Sequence, residues 1–401
     1  MNMSRVVGTV SRGLRAPIVK KGDDLAQIVV DTVTHAAKEA PFTIHDKDIV
    51  AITESIYARA QGNYASLDAV AKDIHQKFQA ESIGVVFPIN SRNRFYNILQ
   101  AVARATKKVV IQLSYPADEV GNELISDEAL VKSGVNPWTD TLSEAEFRSH
   151  FEEIKHKFTG VDYVALYREC VEKEGAECEI IFSNQAQAIL DYTDSVLVSD
   201  IHTRFKTAQA VKEAGAKTVY RLDEILTQSV DGSGYNEEYG LLGTNLSGDN
   251  ELKLFPRDSK SFVYDVQKRL LEATGKKIEV MVYGDGAFKD PVGHIWELAD
   301  PVVSPGYTSG LEGTPNEVKL KYLADNEFSD LSGQALEDAI TDYISQHGDV
   351  DRDGKNVSLG TTPRQITDLV GSLSDLTSGS GDKGTPIVYI QGYFDNLSNE
   401  D

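Results

Sequence analysis

DKDIVAITESIYARAQGN, residues 46–63, is the stretch from which the fold is read. Ile49, Val50, Ala51 and Ile52 form a short apolar run with the length and β-branched content of a buried strand. Within one or two helical turns the chain then presents Thr53, Glu54, Ser55, Arg59, Gln61 and Gly62. An apolar strand ending in hydroxyls, a carboxylate and a guanidinium is the arrangement in which α/β proteins hold ligands, at the carboxyl ends of strands. A strand with a solvated exit loop is the plainer alternative.

Working outward, strand and helix alternate. SRVVGTV (4–10) reads as a strand, and a helix capped by Asp23 or Asp24 runs through TVTHAAKEA. SLDAVAKDIHQKFQAE carries Leu67, Val70, Ile74 and Phe78 at helical spacing. IGVVFPI and KKVVIQLSY are further strands, flanking the helix that opens SRNRF. Beyond residue 125, a charged helix (SEAEFRSHFEEIKHKF) and then βα repetition predict a small parallel sheet covered by helices. DGSGYNEEYGLLGTNLSGDN (231–250) reads as a long binding loop or linker. KIEVMVYGDGAF, two helices and TPIVYIQGYFD complete the chain. The expected class is α/β, of mixed α+β character, in three segments: 1–125, 126–274 and 275–401.

The 401 residues carry a net charge of −22, which disfavours nucleic acid and anionic membranes as partners. No apolar run approaches a bilayer's thickness and no signal-peptide core opens the chain, so a cytoplasmic protein is expected. Cys170 and Cys178 suit two free thiols better than a zinc or disulfide pattern.

Two acidic strand exits suggest a divalent cation. Asp118 and Glu119 follow VVIQL, and Asp285 follows IEVMVYG, with Gly121, Gly284 and Gly286 beside them. Carboxylates held just past a buried strand suit Mg2+ or Mn2+, although a turn-capping role is the commoner one for a single Asp. Arg92 and Arg94 open a helix in a chain poor in basic residues, which points to an anionic carboxylate or phosphate, or to a salt bridge. His202 and Arg204 give a weaker anion signal. DVDRDGKNVSLG (349–360) imitates an EF-hand loop but has Gly360 at the twelfth position, where the loop needs glutamate. Walker, Rossmann and nucleophile-elbow motifs are not found.

Three stretches, RAPIVKKGDDLAQIV, the opening segment and VYGDGAF, together resemble the coenzyme F420-0:L-glutamate ligase (F420 gamma-glutamyl ligase) family. Gly22, Asp23, Asp24 and Leu25 match its G-D-D-L opening. Asp48, Thr53, Ala60 and Gly62 match its D-G-D-x-x-V-x-T-S-K-x-x-S-K-A-E-G-R segment, and Asp285 its later aspartate. YPADEVGN is similar to A-G-x-D-x-S-N through Asp118 and Asn122, and TPIVYIQG to the family's closing P-V-V-x-x-R-G.

The resemblance implies a homodimeric amide ligase using GTP and Mg2+ or Mn2+, in which a phosphorylated carboxylate is attacked by the amine of glutamate. It assigns Asp118 and Asp285 to the metal, and the acidic strand exit itself adds Glu119 as a further ligand or neighbour. Thr53, Glu54, Ser55, Arg59, Gln61, Gly62, Arg92, Arg94, Asn122, Gly284, Gly286 and Lys289 fall to nucleotide or substrate. The departures are specific. The family's Ser-Lys after the threonine is Glu54-Ser55, so the motif loses a phosphate-facing lysine and gains an acid. Its second Lys is Arg59, its Glu is Gln61, and its Gly-Arg-Pro becomes Phe288, Lys289, Asp290 and Pro291. The middle segment shows no counterpart to the motifs. A nucleotide or metabolite sensor that keeps the fold without the chemistry is the alternative.

Overall fold

The structure is a computed structural model that describes residues 6–40, 42–152, 154–156, 159–248, 250–284, 287–289, 296–298, 304–347, 357–358, 365–378 and 381–398. The opening strand is Ile49–Thr53, at the centre of a five-stranded sheet. It pairs parallel with Glu279–Tyr283, placing Thr53 opposite Tyr283, and antiparallel with Ile387–Gln391. Val10–Leu14 and Gly306–Tyr307 form the edges. Alternation along the central strand explains its two coats. Val50 and Ile52 face a layer containing Val29, Val33, Val263 and Val266, from the helices Leu25–Glu39 and Ser259–Thr274. Ile49 and Ala51 face Ile366 and Val370 of the helix Ile366–Ser378.

A six-stranded sheet runs Leu142–Ser143, Glu177–Phe182, Lys108–Leu113, Ser82–Val86, Ser195–Val198, Thr218–Arg221. All its neighbours pair in parallel except the two-residue first strand. The expected parallel sheet is therefore present, but Ser82–Val86 and Lys108–Leu113 come from before residue 125. A three-stranded sheet likewise joins Tyr64–Ser66 to Glu251–Lys253 and Asn245–Leu246. Strand pairing thus cuts across the sequence segments.

Other elements differ from their reading. The first strand is Val10–Leu14 rather than residues 4–10, because its register is set by Ile387–Gln391. The charged helix stops at His150, after which Phe151 and Ile154 turn into the core. The supposed loop at 231–250 contains half of a hairpin. Most of the EF-hand-like stretch lies outside the described residues, and among those described no helix is long and apolar enough to cross a membrane.

Polar bonds brace the chain at Asn63. Asn63, 0% exposed, donates to the carbonyls of Tyr235 (3.0 Å) and Phe255 (2.6 Å) and accepts from the Tyr235 N–H (3.0 Å) and from Arg257. Each buried group left unsatisfied costs roughly 1–3 kcal/mol. Asn63→Ala is therefore expected to lower stability by about 3 kcal/mol, read as a lower urea midpoint. An unchanged midpoint would show that water replaces the carboxamide at no cost.

Candidate functional site

Because Ile49–Thr53 and Glu279–Tyr283 run parallel and in register, Thr53 and Gly284 leave the sheet on the same side. There they floor a cleft of about 430 Å³, lined also by Glu54, Ser55, Arg59, Tyr64, Asn245, Leu246, Ser247 and Lys253. The helix Glu54–Gln61 begins at this floor. Its N-cap, Thr53, makes no side-chain capping bond, whereas Asp24, Ser66, Ser143 and Asp162 each cap their helices with a side chain. The first turn thus brings the partial positive charge of a helix start to the cleft. Arg59 lies one turn beyond Ser55 on the same face, and among the described residues no carboxylate pairs with it.

The opposite wall is the three-stranded sheet. Asn245, Lys253 and Tyr64 are directly opposite one another across its strands, so they share a face, and all three line the cleft. Lys253 is 9% exposed, and its Nζ donates to Glu54 Oε1 at 3.0 Å and Ser55 Oγ at 2.7 Å. The sequence reading missed this residue. Its signal is the alternation Leu252-Lys253-Leu254, whose leucines are fully buried and whose lysine therefore faces the other way.

Five expected residues, Thr53, Glu54, Ser55, Arg59 and Gly284, come together here. Gln61 does not line the cleft. Its Nε2 donates to the Arg257 carbonyl at 2.6 Å and its Oε1 accepts the Arg257 N–H at 2.9 Å. This two-way bond explains glutamine where the family pattern has glutamate, because an ionised carboxylate cannot donate. Gly62 ends the helix at φ 64°, with the Lys21 side chain where a Cβ would stand. Asp285 and Gly286 lie outside the described residues, and Lys289 is described only as the backbone of the strand Ala287–Lys289.

Asp118, Glu119, Asn122, Arg92 and Arg94 belong to the six-stranded sheet's carboxyl end instead. Asp118 is buried and accepts from the N–H groups of Asn90 (2.7 Å), Val120 (3.1 Å) and Asn122 (2.8 Å) and from Asn122 Nδ2 (2.8 Å). Those bonds build a turn, the commoner role weighed for such an aspartate. Arg94 lines a void of about 20 Å³ with Phe95, Ser199 and Thr244, and Arg92 is exposed. The carbonyl of Asn93 accepts the Leu246 N–H at 3.2 Å, so this loop abuts the cleft's hairpin.

The sheet's order changes direction between Ser82–Val86 and Ser195–Val198, the switch point at which open parallel sheets bind ligands. Here the position is already taken. Glu119 accepts from the N–H groups of Ile201 and His202 just before the helix Arg204–Glu213, where a bound phosphate would sit. Arg204, the other half of that weak anion signal, pairs with Asp223 at 3.3 Å. Among the described residues, no three His, Cys, Asp or Glu side chains gather as a metal site.

A model of the F420-0:Gamma-glutamyl ligase family matches residues 13–392. The chain belongs to that family. The match runs through the middle segment as well as the motif-bearing ends. No curated protein matches the chain.

Burial raises the Glu119 carboxyl from 4.5 to about 7, against the opposing effect of its backbone donors, and burial also raises Asp118 and Asp200. The folded chain therefore holds protons that the unfolded chain releases. The associated stability is complete below about pH 4.5 and is lost as pH rises through 7. Unfolding free energy is expected to fall by about 3 kcal/mol between pH 5 and 8, with a shallower slope in Glu119→Gln. Urea titrations across that range measure it, and equal slopes in the two proteins would remove Glu119 as the source.

Proposed function

We propose that this chain is an acid–amino-acid ligase, using a nucleoside triphosphate (GTP by resemblance) together with Mg2+ or Mn2+, and L-glutamate as amine donor. In the first step a substrate carboxylate oxygen bonds to the γ-phosphorus, the bridging P–O bond breaks and the diphosphate leaves. The glutamate amine then attacks the acyl carbon, gives up a proton, and the C–O bond to phosphate breaks to yield an amide and phosphate. Thr53, Ser55, Arg59 and the opening turn of the helix Glu54–Gln61 would bind and orient the triphosphate, the main protein contribution to phosphoryl transfer. The supporting observation is Arg59 beside an uncapped helix start in a polar cleft.

A divalent cation would supply neutralising charge on the phosphates. Thr53, Ser55 and Glu54 offer the hard oxygens such ions accept, but Glu54 is engaged by Lys253. The metal's carboxylate then falls to Asp285, the residue after the cleft-lining Gly284. Gly286 and Lys289 follow on that segment, and a homodimer is part of the proposal.

Incubation with GTP or ATP, Mn2+ or Mg2+, L-glutamate and carboxylate acceptors is expected to release phosphate only when both amine and acceptor are present. Nucleotide binding without release would favour the sensor reading, which the acid at position 54 supports. Two variants refine the assignment. Arg59→Ala is expected to weaken nucleotide binding by about tenfold. Asp285→Asn is expected to lose the metal-dependent part of the nucleotide's thermal shift with the fold intact. An unchanged shift there excludes Asp285 as the ligand.

A further inference from the structure

We infer that Lys253 is the cleft's phosphate-binding cation, delivered from the middle of the chain, and that Glu54 serves as its holder. The inference rests on reading the cleft as a nucleoside triphosphate site and adds to that reading the source of its second positive charge. Ser55 stands where the family pattern carries lysine, and the Lys253 ammonium bonds to the Ser55 hydroxyl at 2.7 Å. The charge missing from the helix is thus restored in space by a residue 198 positions away.

Burying an ammonium is costly unless it is paired, which gives Glu54 its role. With Oε1 at 3.0 Å, the carboxylate pairs with the Lys253 side chain and holds it in place. An ammonium has three N–H donors. Two are spent on Glu54 and Ser55, and the third has no acceptor among the described residues. The position is fixed from both sides. Lys253 lies in the row between Asn245 and Tyr64, and the strand's exit is held by Gln61 on Arg257 and by Asn63 on Phe255. A cation, a hydroxyl, an uncapped helix start and Arg59 so converge on one volume. A polyphosphate chain fits that set better than a single carboxylate, because it brings several charged oxygens to donors spread over more than one turn of helix.

The test is calorimetric titration of GTP and of inorganic tripolyphosphate, each with Mg2+, into the wild-type chain, Lys253→Met and the double variant Glu54→Gln/Lys253→Met. The double variant leaves no unpaired buried charge, so its folding is the more secure. Both variants are expected to bind both ligands at least about tenfold more weakly, with a shallower dependence on salt for Lys253→Met, which removes a cation and leaves its paired carboxylate. Wild-type affinity in the double variant would overturn the inference and leave the ligase reading standing. Tripolyphosphate binding that depends on Lys253, without phosphate release from any nucleotide, would support it while sinking the ligase reading. A wild-type chain that binds neither ligand overturns both.

Discussion

Two neighbouring carboxamides hold the molecule's functional geometry in place. Gln61 and Asn63 leave the end of the helix Glu54–Gln61 and bond to backbone groups of residues 235, 255 and 257. Each side chain donates and accepts at once, which neither a carboxylate nor a cation could do. Asn63 is fully buried and Gln61 half-buried, so a loosened arrangement costs the desolvation of their partners. The strand Glu251–Lys253 is consequently held over the helix that faces it, and the cleft has two walls instead of one.

The electrostatics of the two sheet ends are opposite, although both use the same device. At the switch point of the six-stranded sheet the backbone N–H groups preceding a helix are satisfied internally by Glu119. At the end of the five-stranded sheet the N-cap Thr53 leaves its helix start without a side-chain bond, and Arg59 and Lys253 stand beside it. One sheet end thus has its helix-start donors bonded to the chain's own carboxylate, and the other is the end at which we propose that an anionic ligand binds.

Much of this was legible in the residues of the chain. The apolar run Ile49–Ile52 and its polar exit identify the central strand and half of the cleft, since a buried strand is signalled by local composition. The family pattern around Gly22–Leu25 and Asp48–Gly62 is equally local, as are most of the helices. The two acidic exits were harder to assign. Both follow apolar strands, yet Asp285 continues a strand of one sheet and Asp118 and Glu119 follow a strand of the other. Composition around a strand does not say which sheet it joins.

Local chemistry along the chain therefore settled where strands and helices form, which strand carries the polar exit, and to which family the chain belongs. Tertiary structure alone decided which strands are neighbours, that Gln61 braces a distant backbone instead of meeting a ligand, and that Lys253 occupies the place where Ser55 leaves a charge missing. The reason is that strand pairing and buried ion pairs join residues nearly two hundred positions apart, whose match lies in direction and distance and leaves no mark in either local stretch.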